Sequence, residues 1–147
     1  MAIEGRKSIE IDAPIDRVFA VAADVEHSPR WQPDIKSVEV LERDSQDHQV
    51  LVVTQTDAKV RTLKSELRFS YEEPTRISWT QHSGDLKAIE GSWDFEAIRE
   101  ERTRATYTME VDFGRVLGTV LRGPVQGALR SAMIDSMPGR LKADLEG

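Results

Sequence analysis

From Ile3 to Asp12 polar and apolar residues alternate, with Ile9 and Ile11 on one face against Ser8, Glu10 and Asp12 on the other. That period of two predicts a half-buried strand. It stops at Ala13-Pro14. Pro14 suits a first helical turn, where its missing N–H is no loss, and Asp16 sits where the helix dipole favours a negative charge. Ile15, Val18, Phe19 and Ala22 then recur at i, i+3, i+4 and i+7, which predicts a short helix ending near Asp24. Pro29 and Pro33 leave room for at most a short second helical turn, so the stretch 26–33 reads as a corner or lid.

From Asp34 to Phe113 the signals are strands, predicted near 35–43, 48–57, 60–72, 75–82, 86–98 and 103–113. Turn residues separate them, as at Asp44-Ser45-Gln46-Asp47, Glu72-Glu73-Pro74-Thr75 and Ser83-Gly84-Asp85. Connections this short require antiparallel pairing. Gly114 to Gly118 reads as a link, and from about Thr119 the pattern turns helical. There Val125, Leu129, Met133, Met137, Leu141 and Leu145 form an i+4 ladder. Such a ladder drifts by about 40° per step around an ideal helix. Pro138 removes one intrahelical bond, so a kink is expected near residues 134–138. The predicted fold is α+β of the helix-grip type. It has a seven-stranded curved antiparallel sheet, two short N-terminal helices and a long kinked C-terminal helix, in one domain over 1–147. One helix cannot cover both ends of such a sheet, and a cavity is expected beneath it.

Composition narrows the function. A net charge of −6 lacks the basic footprint that phosphate contacts need, which argues against a nucleic-acid partner. With no cysteine, disulfides and thiolate chemistry are excluded. No segment approaches the roughly 20 apolar residues of a membrane span, and the N-terminus lacks a signal-peptide core, so the cytoplasm is the expected compartment. Monomer and homodimer both remain open.

Strand alternation indicates which side chains face the cavity. Taking the more apolar face as inward selects Leu67, Phe69 and Tyr71, then Trp79 and Gln81, then Trp93 and Phe95, then Tyr107 and Met109. The strand holding Val50, Leu51, Val52 and Val53 is apolar on both faces and stays unassigned. The helix adds Leu129, Met133 and Met137, whose thioethers suit an adaptable wall or plain core filling. Ser65, Tyr71, Gln81 and Tyr107 are then the inward polar groups, with Tyr107 and Gln81 the best orienting ones. No inward carboxylate pair or histidine is left to act as a base. His48 and His82 read as surface residues, and His27 as a capping or surface residue beside the pocket mouth. No spacing of the three histidines suits a metal, and no motif for a cofactor is present.

The order of Ser8-Ile9-Glu10-Ile11-Asp12-Ala13-Pro14, Val18-Phe19, Asp24, Pro29-Arg30-Trp31-Gln32-Pro33, Trp79, Gly91-Ser92-Trp93 and Ala105-Thr106-Tyr107-Thr108 resembles the START/Bet v 1-like (SRPBCC) superfamily. Within it, the similarity is to the bacterial polyketide cyclase/dehydrase and coenzyme-Q-binding branch. The resemblance implies an apolar pocket, and adds Trp31 as a candidate ligand contact, with plugging of the core as the favoured reading of that residue. It does not imply one activity, since the superfamily includes lipid and quinone binders, cyclases, receptors and carriers. The expectation is binding or carriage of a hydrophobic small molecule, lipid-, quinone- or polyketide-like. The alternative is a polyketide cyclase/dehydrase in which Tyr107, Gln81 or His27 polarises a carbonyl.

Overall fold

The computed structural model describes residues 2–58, 61–115 and 124–147. Strand β1 (Ala2–Ile11) leads through helix α1 (Ile15–Ala23) and a 3-10 turn (Val25–Arg30) into six further strands. These are β2 (Ile35–Arg43), β3 (Gln49–Asp57), β4 (Thr62–Glu72), β5 (Arg76–Gly84), β6 (Ala88–Arg99) and β7 (Arg102–Asp112). They form one antiparallel sheet in the order β1-β7-β6-β5-β4-β3-β2. Each of β2 to β6 pairs with the next in sequence. The helical corner between β1 and β2 carries the chain across the sheet, so β1 pairs with β7 at the far edge. Thr103 Oγ1 fixes the start of that corner by donating to the Ala13 carbonyl at 2.8 Å.

Helix α1 buries Val18, Phe19 and Ala22, the face its spacing predicts. Phe19 lies edge-on to Tyr71 and Phe95, with ring centroids 6.4 and 6.2 Å away, and so covers one end of the concave face.

The C-terminal segment covers the rest. Its described part runs as helix α2 (Pro124–Arg130), a π turn (Ser131–Asp135) and helix α3 (Met137–Glu146). The predicted helix start near Thr119, and part of the Gly114 to Gly118 link, lie outside the described residues. Instead of a proline kink within one helix near 134–138, the segment is interrupted by the π turn, and Pro138 is seated in the first turn of α3 where it has no bond to lose. The wider turn frees carbonyls that the chain satisfies locally. Ser136 Oγ and Arg140 Nη1 both donate to the Ala132 carbonyl, at 3.1 and 3.4 Å.

The π turn also explains how an i+4 ladder stays buried. Five steps of about 40° carry Leu145 some 200° around an ideal helix from Val125, and one extra residue takes back about 100° of that. Leu129, Met137, Leu141 and Leu145 are all buried. Ile134, at the wide turn, is fully enclosed, and a Cβ on Gly5 of β1 would stand only 2.9 Å from its Cγ2. Glycine at that position lets the C-terminal segment lie directly on the strand.

The register of β3 settles the strand that alternation leaves open. Val52 pairs with Leu67, Thr54 with Ser65 and Thr56 with Leu63, so these three β3 residues share the concave face. Leu51 is buried on the opposite face. It stands between Glu42 and Arg68 in the ladder, and those two side chains approach to 3.6 Å across it. An arginine stem over a leucine explains apolar residues on both sides of one strand.

Candidate functional site

Between the concave face, the 3-10 turn and the π turn lies a cavity of about 120 Å³. Its floor is aromatic. Trp79 packs against Phe69 and Tyr107 with ring centroids 5.5 and 5.7 Å away, and Trp93 lies 4.6 Å from Tyr107. Trp79 rests on Gly91, where a Cβ would come within 2.5 Å of the indole. Only a residue without a side chain admits the ring there. Ala132, Met133 and Met137 supply the opposite wall, two of them from the π turn. Of the four methionines in the chain, Met109, Met133 and Met137 line the cavity.

Eight of the residues singled out from sequence line this space: Leu67, Phe69, Trp79, Trp93, Tyr107, Met109, Met133 and Met137. Five do not, each for a local reason. Tyr71 and Phe95 continue the correct faces but lie under Phe19, and the Tyr71 hydroxyl donates to the Gln49 carbonyl at 2.7 Å. Gln81 sits at a bulge where the pairing jumps from Leu67↔Gln81 to Glu66↔Ser83, which re-aims its side chain. Its Nε2 donates to the Leu86 carbonyl at 2.8 Å, bracing the β5–β6 connection. Trp31 is buried behind the cavity, its ring 6.4 Å from Trp93, and Leu129 is fully enclosed under α2.

None of the three histidines is among the residues lining the cavity. His27 is mostly exposed and bonds Asp24 Oδ2 through Nδ1 at 2.8 Å, while the other oxygen of Asp24 accepts from Gln49. His48 departs from the surface reading. It is largely covered, stacked on Tyr71 at 4.5 Å, with its ring nitrogens 3.3 and 3.1 Å from Asp44 and Glu73. Backbone N–H groups of His48 and Gln46 hold the Asp44 carboxyl below its ordinary range. His82 is exposed beside Glu66. Among the described residues no cluster of histidines and carboxylates is arranged to hold a metal.

A polar wall went unrecognised in the sequence. Ser28, Gln32, Asp34, Thr54 and Thr56 also line the cavity, beside the anticipated inward residue Ser65. Asp34 accepts from Arg140 Nη1 at 3.1 Å, joining the end of the corner to α3. Burial pushes the Tyr107 phenol well above its ordinary pKa, and among the described residues its hydroxyl donates only to the Met109 thioether at 3.8 Å, a weak acceptor. Tyr107 is thus a neutral donor with its hydrogen-bonding capacity nearly unspent.

The sequence model described as polyketide cyclase / dehydrase and lipid transport matches residues 11–137. No curated protein sequence matches. Among solved structures, a START superfamily protein from Mycobacterium smegmatis superposes with a TM-score of 0.83 at 17% identity, covering 97% of each chain. The ZhuI aromatase/cyclase from Streptomyces sp. R1128 gives 0.82 at 17% identity, over 99% of this chain and 94% of that one. The di-domain aromatase/cyclase BexL of the BE-7585A biosynthetic pathway gives 0.71 at 19%, over 99% of this chain and half of the other. At such identities the superpositions establish the helix-grip fold alone, while the sequence match extends over most of the chain. The chain belongs to the polyketide cyclase/dehydrase and lipid transport family.

Proposed function

We propose that this protein binds a small hydrophobic molecule in the cavity between the aromatic floor and the C-terminal segment. The observation that carries the reading is the void of about 120 Å³, walled by Phe69, Trp79, Trp93 and three methionines. An engineered apolar cavity of about 150 Å³ accepts benzene, so this one suits a guest of about one ring as it stands. Larger guests require the wall to give. Met133 and Met137 are suited to that, because unbranched thioethers re-pack at little cost.

Catalysis finds less support. A cyclase or dehydrase needs a base near the carbon it deprotonates. The described lining offers one carboxylate, Asp34, which is tied to Arg140, and a phenol that burial keeps protonated.

Methionine methyl groups labelled with carbon-13 provide the test. Titration with toluene is expected to shift the Met109, Met133 and Met137 signals saturably. Absence of any saturable shift with toluene, indole or naphthalene would count decisively against the proposal.

A further inference from the structure

The cavity has two chemically different sides, and the polar one is built without need of its own. Thr54 and Ser65 face each other across β3 and β4, with Thr56 one step along the same face. Ser28 and Gln32 approach from the corner. A core that only had to be filled would carry valine or alanine at such places, since a threonine has valine's shape plus a hydroxyl that burial penalises.

Two of these hydroxyls are poorly satisfied. Ser28 is 3% exposed and its Oγ has no hydrogen-bond partner among the described residues, although rotation about one side-chain bond would turn it. Thr54 Oγ1 has only a long contact of 3.5 Å to the Ser65 carbonyl. Native proteins leave few buried polar groups in that condition, and an unmet one calls for a missing partner. Across from them the floor is aromatic, so the two sides together favour a guest with an oxygen at one end and a flat apolar body.

Charge refines the class. Among the described residues lining the cavity none is lysine or arginine, and the one carboxylate there, Asp34, is already paired with Arg140 at 3.1 Å. An anionic guest would be desolvated with no lining cation to offset that cost, which is unfavourable in a low-dielectric interior. Building on the binding function proposed above, we infer that the guest is a neutral ring compound bearing a hydroxyl or carbonyl oxygen. That oxygen is directed to Ser28 and Thr54, and the ring lies on Trp79.

Three probes of one shape separate the possibilities: toluene, p-cresol and p-toluate, titrated at neutral pH and followed by the labelled methionine methyls. In a purely apolar cavity p-cresol would bind more weakly than toluene, because its hydroxyl loses water without replacement. Here p-cresol is expected to bind at least as tightly as toluene, and p-toluate more weakly than either by about tenfold or more. In Ser28→Ala and in Thr54→Val the preference for p-cresol over toluene should fall by about fivefold, the worth of one hydrogen bond. The ratio of the two affinities is the readout, so a general loosening of either variant cancels.

If toluene binds but p-cresol is disfavoured, or if neither variant changes the ratio, the assignment of the polar wall fails and the binding function stands. Equal binding of p-toluate overturns the neutrality. If no probe binds, it is the binding function itself that fails.

Discussion

Gly91→Ala tests whether the indole of Trp79 defines the cavity floor. The new Cβ would stand 2.5 Å from Trp79 Cζ2, 2.6 Å from Cε2 and 2.7 Å from Met109 Sδ. Carbon atoms in contact sit about 3.5–4.0 Å apart, so the ring must retreat by about 1 Å or more. Phe69 and Tyr107 flank it, which leaves the void as its way out. Overpacking of this kind costs about 1–3 kcal/mol, offset by about 0.5–1 kcal/mol for removing a glycine from a strand. The net loss of about 0.5–2 kcal/mol should lower Tm by about 2–8 °C in a chain of this size. Circular dichroism melts measure that. The same substitution should weaken toluene binding, because the displaced ring occupies the guest's space. An unchanged Tm together with an unchanged toluene Kd would refute the packing argument.

Two further outcomes follow from the same packing. The chain has only two tyrosines, and both phenols are raised in the folded state, Tyr107 by burial and Tyr71 by burial and then by Asp44. The folded state therefore holds protons that the unfolded chain releases near pH 10, so their contribution is intact below that pH and is lost as pH rises through the folded values. Alkaline titration at 295 nm should show tyrosinate appearing together with loss of the native circular dichroism, and a tyrosinate step near pH 10 in a still-folded protein would contradict this. Gly5→Ala, which drives a methyl against Ile134, should cost about 1–2 kcal/mol in urea melts. Combined with Ile134→Ala it should cost clearly less than the sum of the two single losses, and strict additivity would show that the strand and the π turn are not in contact.

The strands were legible because turn residues punctuate them and because most have one wet and one dry face. Ile77 and Trp79, or Tyr107 and Met109, fall inward by alternation alone. Where alternation misled, a particular contact intervened. Alternation leaves Leu51 unassigned until Arg68 and Glu42 are seen to meet across it. Gln81 continues the inward set of β5 until the bulge turns it toward Leu86. His48 sits in a polar hairpin, and only the fold brings Tyr71 beneath its ring. The extent of the cavity was hidden for a similar reason. Nothing local to Tyr71 or Phe95 reveals that Phe19 of α1 covers them. The polar wall escaped because serine and threonine inside a strand or corner carry no distinguishing signal. Thr54 and Thr56 become visible only through their pairing with Ser65 and Leu63.

The π turn has a bearing on how this chain tolerates changes in length. A wide turn of this kind is a regular helix with one residue too many, so deleting Ala132 would let Ser131–Asp135 close into ordinary α-helix while α2 and α3 keep their orientations. Deleting one residue within α3, at Ala143 for example, leaves no slack to take up and puts Glu146 in the place of Leu145. Codon losses should therefore survive at one point in the C-terminal segment and fail on either side of it, and the surviving variant would have a reshaped cavity on an otherwise intact frame.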